Sequence, residues 1–386
     1  MSQRIEHEAP SAPSATPVET EPWTRGEITL YRLEDVGYEI HLDRAAEILS
    51  ASTPERPRPT RGEAQAIQIP NPPLTVRLGN EGAEVGGRTQ RLELSARLFD
   101  FGVVSLRAAL RVDEPLAWKQ LTSLGSDLAS RPDAAACFDR WRDQLLERVL
   151  PAIQKPGVAA VSEDYVVFRL SGLSDARGRH LPTGALEDEA IAALLFGEAR
   201  TLSARARHDL LSRRFSYFED DLTVLAWNAA LVVEPAPDDT DVPYILEFAN
   251  AQLLELRYYD SVLDQEIPRI YEGIAAARRG FHVIGRRYSR LLAALQSRVA
   301  DATELVERIE NSLKVTDDVY LARIYATALE IFRGNTWRGG IERKVTIVRE
   351  AYTMLNAEST ERRAEVLELT IILLIVVELV LAWVRR

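Results

Sequence analysis

The sequence predicts an α+β N-terminal domain, then a long-helix antiparallel hairpin or coiled-coil bundle, then one C-terminal transmembrane helix. Three observations lead to this fold class. Apolar residues alternate with a period of two in the first half, recur about every 3.6 residues in the second half, and form a nearly continuous run at 366–384. With 386 residues the chain has room for two or three folding units.

Composition excludes several classes of protein. The chain has 58 acidic and 47 basic residues and a formal net charge of −11, which argues against duplex DNA as a partner. Its one cysteine, Cys137, has no second cysteine for an internal disulfide or a cysteine zinc site. We therefore expect a protein that folds in a reducing compartment.

The N-terminal half divides into a tail and a domain. Residues 1–24 are rich in proline and small polar side chains, which predicts a disordered tail without a cleavable targeting signal. Residues 25–235 are expected to form the α+β domain, interrupted by a proline-rich loop at 51–73. Alternation of apolar and polar residues predicts strands at 28–33, 38–42, 74–79, 91–98, 101–112, 164–170 and 222–234, and helices are expected at 115–129 and 134–153.

A short motif lies between two of these strands. Asp100, Phe101 and Gly102 match the magnesium-binding triplet of protein kinases, but the sequence has no kinase catalytic loop and no glycine-rich nucleotide loop. The triplet is therefore predicted to be the turn of a hairpin.

Residues 241–365 are predicted to be helical. One apolar stripe runs from Ala249 to Ile274 and a second from Ile284 to Leu313, with Gly280 between them, which favours an antiparallel hairpin. A third helix is expected at about 317–332, with Thr316, Asp317 and Asp318 at its start. The last helix carries a coiled-coil seam at Ile341, Val345, Val348, Tyr352 and Leu355 and is expected to continue into the apolar run.

The apolar run at 366–384 predicts a membrane anchor with the bulk of the chain in the cytoplasm. A helix of this length approaches the roughly 30 Å of bilayer hydrocarbon, and its flanks carry residues suited to the two interfaces. The residues assigned to the anchor are Glu368, Glu378, Trp383, Arg385 and Arg386. The alternative to a membrane anchor is a helix at the end of the chain that is buried in the core of the protein. Glu378 either contacts another helix or reaches towards water.

A basic segment at 273–300 contains no acidic residue. It carries six arginines, which are Arg278, Arg279, Arg286, Arg287, Arg290 and Arg298. Arginine binds phosphate well, so this segment is a candidate surface for RNA or lipid headgroups. The alternative is that it faces an acidic surface of the same protein.

We identify no catalytic, cofactor-binding or metal-binding residue from the sequence. The five histidines lack the spacing of metal-ligand pairs, and the glycines lack the spacing of a phosphate-binding loop. No nucleophile elbow is present.

The C-terminal half resembles a known family. The runs at 312–332, 337–356 and 367–379, and more loosely those at 215–234 and 245–264, are similar to proteins called "required for meiotic nuclear division" and their YagE-like bacterial relatives. The resemblance implies a membrane-anchored, coiled-coil protein with Glu378 at the family's intramembrane carboxylate, and no catalytic motif. Mitochondrial members support organellar translation. Because the chain lacks a transit peptide, a bacterial cytoplasmic-membrane relative is expected.

These observations leave three hypotheses on function. The leading one is a non-enzymatic, membrane-anchored scaffold or assembly factor that self-associates through its C-terminal helices. Its partners would be the lipid bilayer and a second copy of the chain. The alternative is a membrane tether for RNA or the ribosome that uses residues 273–300. The third is an enzyme whose active site is not recognisable from the sequence.

Overall fold

The computed structural model describes residues 21–52, 60–61, 69, 71–158, 161–197, 202–235, 241–279 and 316–384, and six isolated positions between 293 and 304. The strands are β1 Trp23–Asp35, β2 Glu39–Ile40, β3 Thr60–Arg61, β4 Leu74–Val85, β5 Arg88–Leu98, β6 Val103–Ala117, β7 Ile153–Gln154, β8 Ser162–Leu170, β9 Leu173–Ser174, β10 His180–Leu181, β11 Arg214–Phe215, β12 Leu222–Leu225 and β13 Ala229–Val233. The α-helices are α1 Leu42–Ser52, α2 Trp118–Ala129, α3 Ala134–Val149, α4 Asp188–Phe196, α5 Ala204–Leu211, α6 Asp241–Arg279, α7 Val319–Ile331 and α8 Gly334–Val384.

Within the described residues, eleven strands form one mixed sheet. Its main order is β11-β12-β13-β8-β1-β6-β5-β4-β3, with β9 and β10 attached beside β1. Neighbouring strands are antiparallel except β8 and β13, which run parallel. Strand β1 lies inside the sheet, where Ile28 stands opposite both Leu110 of β6 and Phe168 of β8.

The two faces of the sheet are covered by different helices. Successive side chains of a strand point to opposite faces, so Ile28 and Leu30 of β1 join a core with α1 to α4, whereas Tyr31 and Leu33 join a second core with α6 and α7. Both cores consist mainly of aliphatic and aromatic side chains removed from water. The sheet is therefore the middle layer of a three-layer arrangement.

The helices after the sheet follow the predicted 3.6-residue spacing where the structure describes them. Leu253, Leu256 and Leu263 of α6 are buried. At the start of α7 the Asp318 carboxylate accepts hydrogen bonds from the backbone N–H groups of Tyr320 and Leu321, at 2.7 and 3.1 Å. The predicted cap of this helix is confirmed.

Helix α8 packs its N-terminal part against α6. Ile341, Val345 and Val348 of the predicted seam are buried. The ammonium group of Lys344 lies 2.6 Å from a carboxylate oxygen of Asp260 and 2.6 Å from one of Asp264, both on α6. These two acids raise the pKa of Lys344 against the opposing effect of its partial burial.

The predicted fold class is wrong. The domain after residue 25 is a large mixed sheet with helices on both faces, and no helix in the described part of the chain is long and apolar enough to cross a membrane. The predicted span is the end of the 51-residue helix α8. Between Glu368 and Glu378 lie nine uncharged residues, about 14 Å of helix, against roughly 30 Å of hydrocarbon. The predicted membrane location is corrected for the same reason.

Smaller differences have local causes. The predicted strand at 222–234 is two antiparallel strands, β12 and β13, separated by a turn near Trp227. The predicted strand at 38–42 is reduced to the two residues of β2 because the next residues begin α1. The tail at 1–24 lies outside the described residues up to residue 20, and the described chain enters β1 at Trp23. Most of the proline-rich loop and the second apolar stripe also lie outside the described residues.

The predicted hairpin turn is confirmed at Gly102, where it gives the first testable result. Gly102 has a φ of +90°, and a Cβ added there would lie 1.8 Å from the backbone oxygen of Gly37. We expect Gly102→Ala to lower the free energy of unfolding by about 2 kcal/mol, because the alanine is strained and displaces the neighbouring chain. Urea unfolding of both proteins measures the loss.

The matched control is Gly87→Ala in the turn between β4 and β5. Gly87 also has a positive φ, +70°, but nothing lies within 4 Å of its added Cβ. This variant is expected to lose about 1 kcal/mol from backbone strain alone. Equal losses at the two glycines would contradict the close approach of the chain at Gly102.

Candidate functional site

A cavity of about 260 Å³ opens on the face of the sheet beside the first turn of α6. Strands β1, β4, β5, β6 and β8 form its floor, and Pro243 and Tyr244 of α6 form one side. Five arginines of the described chain line it: Arg77, Arg97, Arg107, Arg111 and Arg169. The cavity is therefore a strongly basic site on an acidic protein.

Strand register brings these arginines together. Arg107 of β6 stands opposite Ser95 of β5 and Tyr31 of β1, and Ser95 stands opposite Arg77 of β4. Glu27 of β1 stands opposite Arg111 on one side and Arg169 on the other. Because residues that are paired across strands point to the same face, all of these side chains reach the cavity.

Arg97 is the innermost of the five. Its side chain is 3% exposed and forms an ion pair with the fully buried carboxylate of Glu247 on α6. Its Nε donates a hydrogen bond to the Thr75 hydroxyl at 3.3 Å, and its guanidinium carbon lies 4.5 Å from the ring centre of Tyr244. Arg97 therefore fixes helix α6 to the sheet at the edge of the cavity.

Three of the other arginines have charged or aromatic neighbours at the cavity. Arg111 lies 3.4 Å from Glu93 and Arg169 lies 3.8 Å from Glu27. The guanidinium carbon of Arg107 is 5.5 Å from the ring centre of Tyr31. Burial raises the pKa of the Tyr31 hydroxyl, and the positive charge of Arg107 opposes that rise.

The charge balance of the site is positive. Against five arginines, the described lining contains two glutamates, Glu27 and Glu93. Even when Glu247 behind Arg97 is counted, positive charges outnumber negative ones by two. Guanidinium groups are hydrogen-bond donors and remain protonated at physiological pH, so this arrangement suits the binding of an anion.

A second exposed feature lies at the end of α8. Residues 371–377 are consecutive apolar residues, and each has roughly half or more of its side chain in solvent. Val380, Leu381 and Trp383 continue the exposed apolar surface, with Trp383 80% exposed. Such a surface is uncommon on an isolated globular protein.

The residues predicted from sequence are placed as follows. Glu368, Glu378 and Trp383 are exposed on α8, whereas Arg385 and Arg386 lie outside the described residues. Arg278 and Arg279 fall in the last turn of α6, where the structure describes the backbone and not their side chains. The other four arginines of the basic segment, Arg286, Arg287, Arg290 and Arg298, also lie outside the described residues.

Sequence reasoning missed the arginine-lined cavity. The available signal was the presence of arginines that share one face of a predicted strand, as Arg107 and Arg111 do at a spacing of four residues. Whether these arginines meet at one site depends on the order of the strands in the sheet. The residue pattern of a single strand does not give that order.

The described residues offer little for metal or thiol chemistry. They contain no group of three or more histidine, cysteine or acidic side chains that could hold a metal ion. Cys137 is buried in α3, and burial raises the pKa of its thiol, which disfavours the reactive thiolate.

Comparison with known protein families shows to which family the chain belongs. Residues 25–240 match the family described as "Uncharacterized protein MJ0711, N-terminal domain", which is more than half of the sequence. The chain belongs to the MJ0711 family. The uncharacterized protein MJ0711 of Methanocaldococcus jannaschii is 24% identical over 243 residues, covering 62% of this chain and 72% of the relative. No solved structure matches the chain.

The MJ0711 match corrects the resemblance to the "required for meiotic nuclear division" and YagE-like proteins. The MJ0711 family covers the sheet and the strands of the cavity, whereas the runs that suggested the other family lie mostly after residue 240. Those runs show regular apolar spacing, which many long helices share. The MJ0711 family is itself uncharacterised, so its name supplies no reaction.

Proposed function

We propose that this protein is a non-enzymatic scaffold or assembly factor that self-associates through the C-terminal end of helix α8. The observation that carries the proposal is the exposed apolar surface at 371–383. Side chains of this size favour removal from water by roughly 1.5–3 kcal/mol each when fully buried. Association of several such side chains therefore provides a strong driving force.

A second copy of the chain is the proposed occupant because the surface lies at the same heptad positions as a buried seam earlier in α8. Ile341, Val345 and Val348 are buried where α8 packs on α6. When the same alternation of four- and three-residue steps is extended along the helix, it reaches Leu373, Val376, Val380 and Trp383, all of which are exposed. Two copies of one helix bring the same heptad positions together.

The geometry of α8 leaves this end accessible. Ala351 is buried, and the helix continues for 33 residues to Val384, about 50 Å at 1.5 Å per residue. An interface at 371–383 would therefore leave the face of the sheet and its cavity open to other molecules. This separation suits a scaffold.

The test compares two double variants of the full chain by sedimentation analysis. Leu373→Glu with Val380→Glu places carboxylates on the seam and is expected to weaken association at least about 100-fold, because burial of unpaired charge is costly. Ile371→Glu with Ile375→Glu, on the opposite side of the helix, is the matched control and is expected to stay associated. If the wild-type chain sediments as a monomer, the proposal is wrong.

An alternative proposal is that the protein binds RNA or the ribosome. It depends on the basic segment at 273–300, which combines six arginines with no acid. Its arginines are separate from those that line the cavity, so changes in one set leave the other intact.

A further inference from the structure

We infer that the arginine-lined cavity is a binding site for a small phosphate monoester, such as a phosphorylated sugar. The inference rests on the cavity alone and is independent of self-association through α8. Arginines from strands β4, β5, β6 and β8 converge there, and strand register places them on one face.

Charge is the first argument. A phosphate monoester carries between 1.5 and 2 negative charges at pH 7, and three oxygens that accept hydrogen bonds. The cavity has an excess of about two positive charges after its own carboxylates and Glu247 are counted. The whole chain has a net charge of −11, so the excess of positive charge at the cavity is a local feature.

Donor geometry is the second argument. Guanidinium groups bind phosphate oxygens through paired hydrogen bonds, which gives both strength and orientation. Arg77 and Arg107 lie on either side of Ser95, whose position on β5 is opposite both of them. A phosphate above Ser95 would therefore meet charged donors from two directions and a hydroxyl from the floor.

Size is the third argument. The cavity volume of about 260 Å³ is slightly below the range usual for drug-sized ligands. It fits a phosphate with a small organic group. Tyr244 and Val167 supply apolar side chains in the lining for that group.

The phosphate could also come from the backbone of RNA. A phosphodiester carries one charge per phosphate and belongs to a long chain, which fits an extended groove better than a small cavity. The charge excess and the limited volume therefore favour the monoester. Both sources can be separated by experiment.

Calorimetric titration of the full chain is the test, with ribose 5-phosphate and inorganic phosphate as probes and ribose as the neutral match. We expect both phosphates to bind and ribose to give no heat of binding. Arg77→Gln and Arg107→Gln are each expected to weaken the binding of ribose 5-phosphate at least about tenfold. Arg77 is exposed, so its replacement leaves the fold intact.

Arg44→Gln is the control, because Arg44 is exposed on α1, which packs against the other face of the sheet. It removes the same charge and is expected to bind ribose 5-phosphate as the wild type does. Three results would overturn the inference: neither phosphate binds, ribose binds equally well, or the Arg77 and Arg107 variants match the Arg44 variant. Binding of a short RNA alone, weakened by the same two changes, would assign the cavity to polynucleotide instead.

Discussion

Replacement of Glu247 by alanine is expected to lower the free energy of unfolding by about 3–5 kcal/mol, because it leaves the buried guanidinium of Arg97 without its counter-charge. Arg97 and Glu247 are each 2% exposed, on β5 and α6. They are 150 residues apart in sequence and join the helix to the sheet. Urea unfolding monitored by circular dichroism measures the loss.

Two further variants separate this effect from general damage. Glu93→Ala breaks the exposed pair with Arg111 and is expected to cost less than about 1 kcal/mol. Arg97→Met combined with Glu247→Leu replaces the buried pair by apolar side chains and is expected to recover most of the stability lost in Glu247→Ala. A loss in Glu247→Ala no larger than that in Glu93→Ala would show that Arg97 is not held as described.

The stability of the protein is expected to fall as pH rises from about 4 to above 7, through Asp35. Asp35 ends strand β1, is 2% exposed and forms hydrogen bonds with Glu255 of α6 and with the backbone of Gly37. Burial raises the pKa of Asp35 from 3.8 to about 7, although the two hydrogen bonds oppose the rise.

The direction of this change in stability follows from the number of protons bound by the folded and the unfolded state. Between pH 4 and 7 the folded state keeps a proton that the unfolded state has released, so stability is fully present below pH 3.8 and is lost as pH rises through about 7. Asp35→Asn removes the titrating group. We expect this variant to be more stable than the wild type above pH 7, by as much as about 4 kcal/mol, and its stability to vary less with pH.

Unfolding curves from pH 4 to 8 test this expectation. Asp164→Asn is the control, since the side chain of Asp164 is 60% exposed and pairs with Arg32 on the surface. It should keep the wild-type dependence on pH. Glu255→Gln leaves Asp35 buried and keeps a side chain that can donate a hydrogen bond to it, so this variant should retain the dependence on pH. A parallel pH profile in wild type and Asp35→Asn would refute the assignment.

Much of the local structure was predictable. The strands at 91–98 and after Gly102, with a turn between them, follow from alternation and turn chemistry. The cap at Asp318 was visible because a carboxylate before an apolar helical pattern satisfies free backbone N–H groups. The turn at Trp227 and Asn228 was missed, although asparagine between two apolar runs is typical of a turn.

The apolar end of α8 shows where sequence patterns misled. The run of apolar residues is real, but hydrophobicity alone did not distinguish a membrane span from an exposed helix end between Glu368 and Glu378. The resemblance to another family failed in the same region, because regular helical spacing is shared by unrelated proteins. The MJ0711 match instead covers the sheet.

The sequence by itself determined the local elements and the overall acidity of the protein. Alternation, helical spacing and caps depend on residues that are close together along the chain. Only the tertiary structure decided the order of the strands, and with it the basic cavity and the burial of Arg97 and Asp35. Strand order and helix packing are set by contacts between residues far apart in sequence, such as Arg97 and Glu247. The residue pattern of one segment does not show which other segment it contacts.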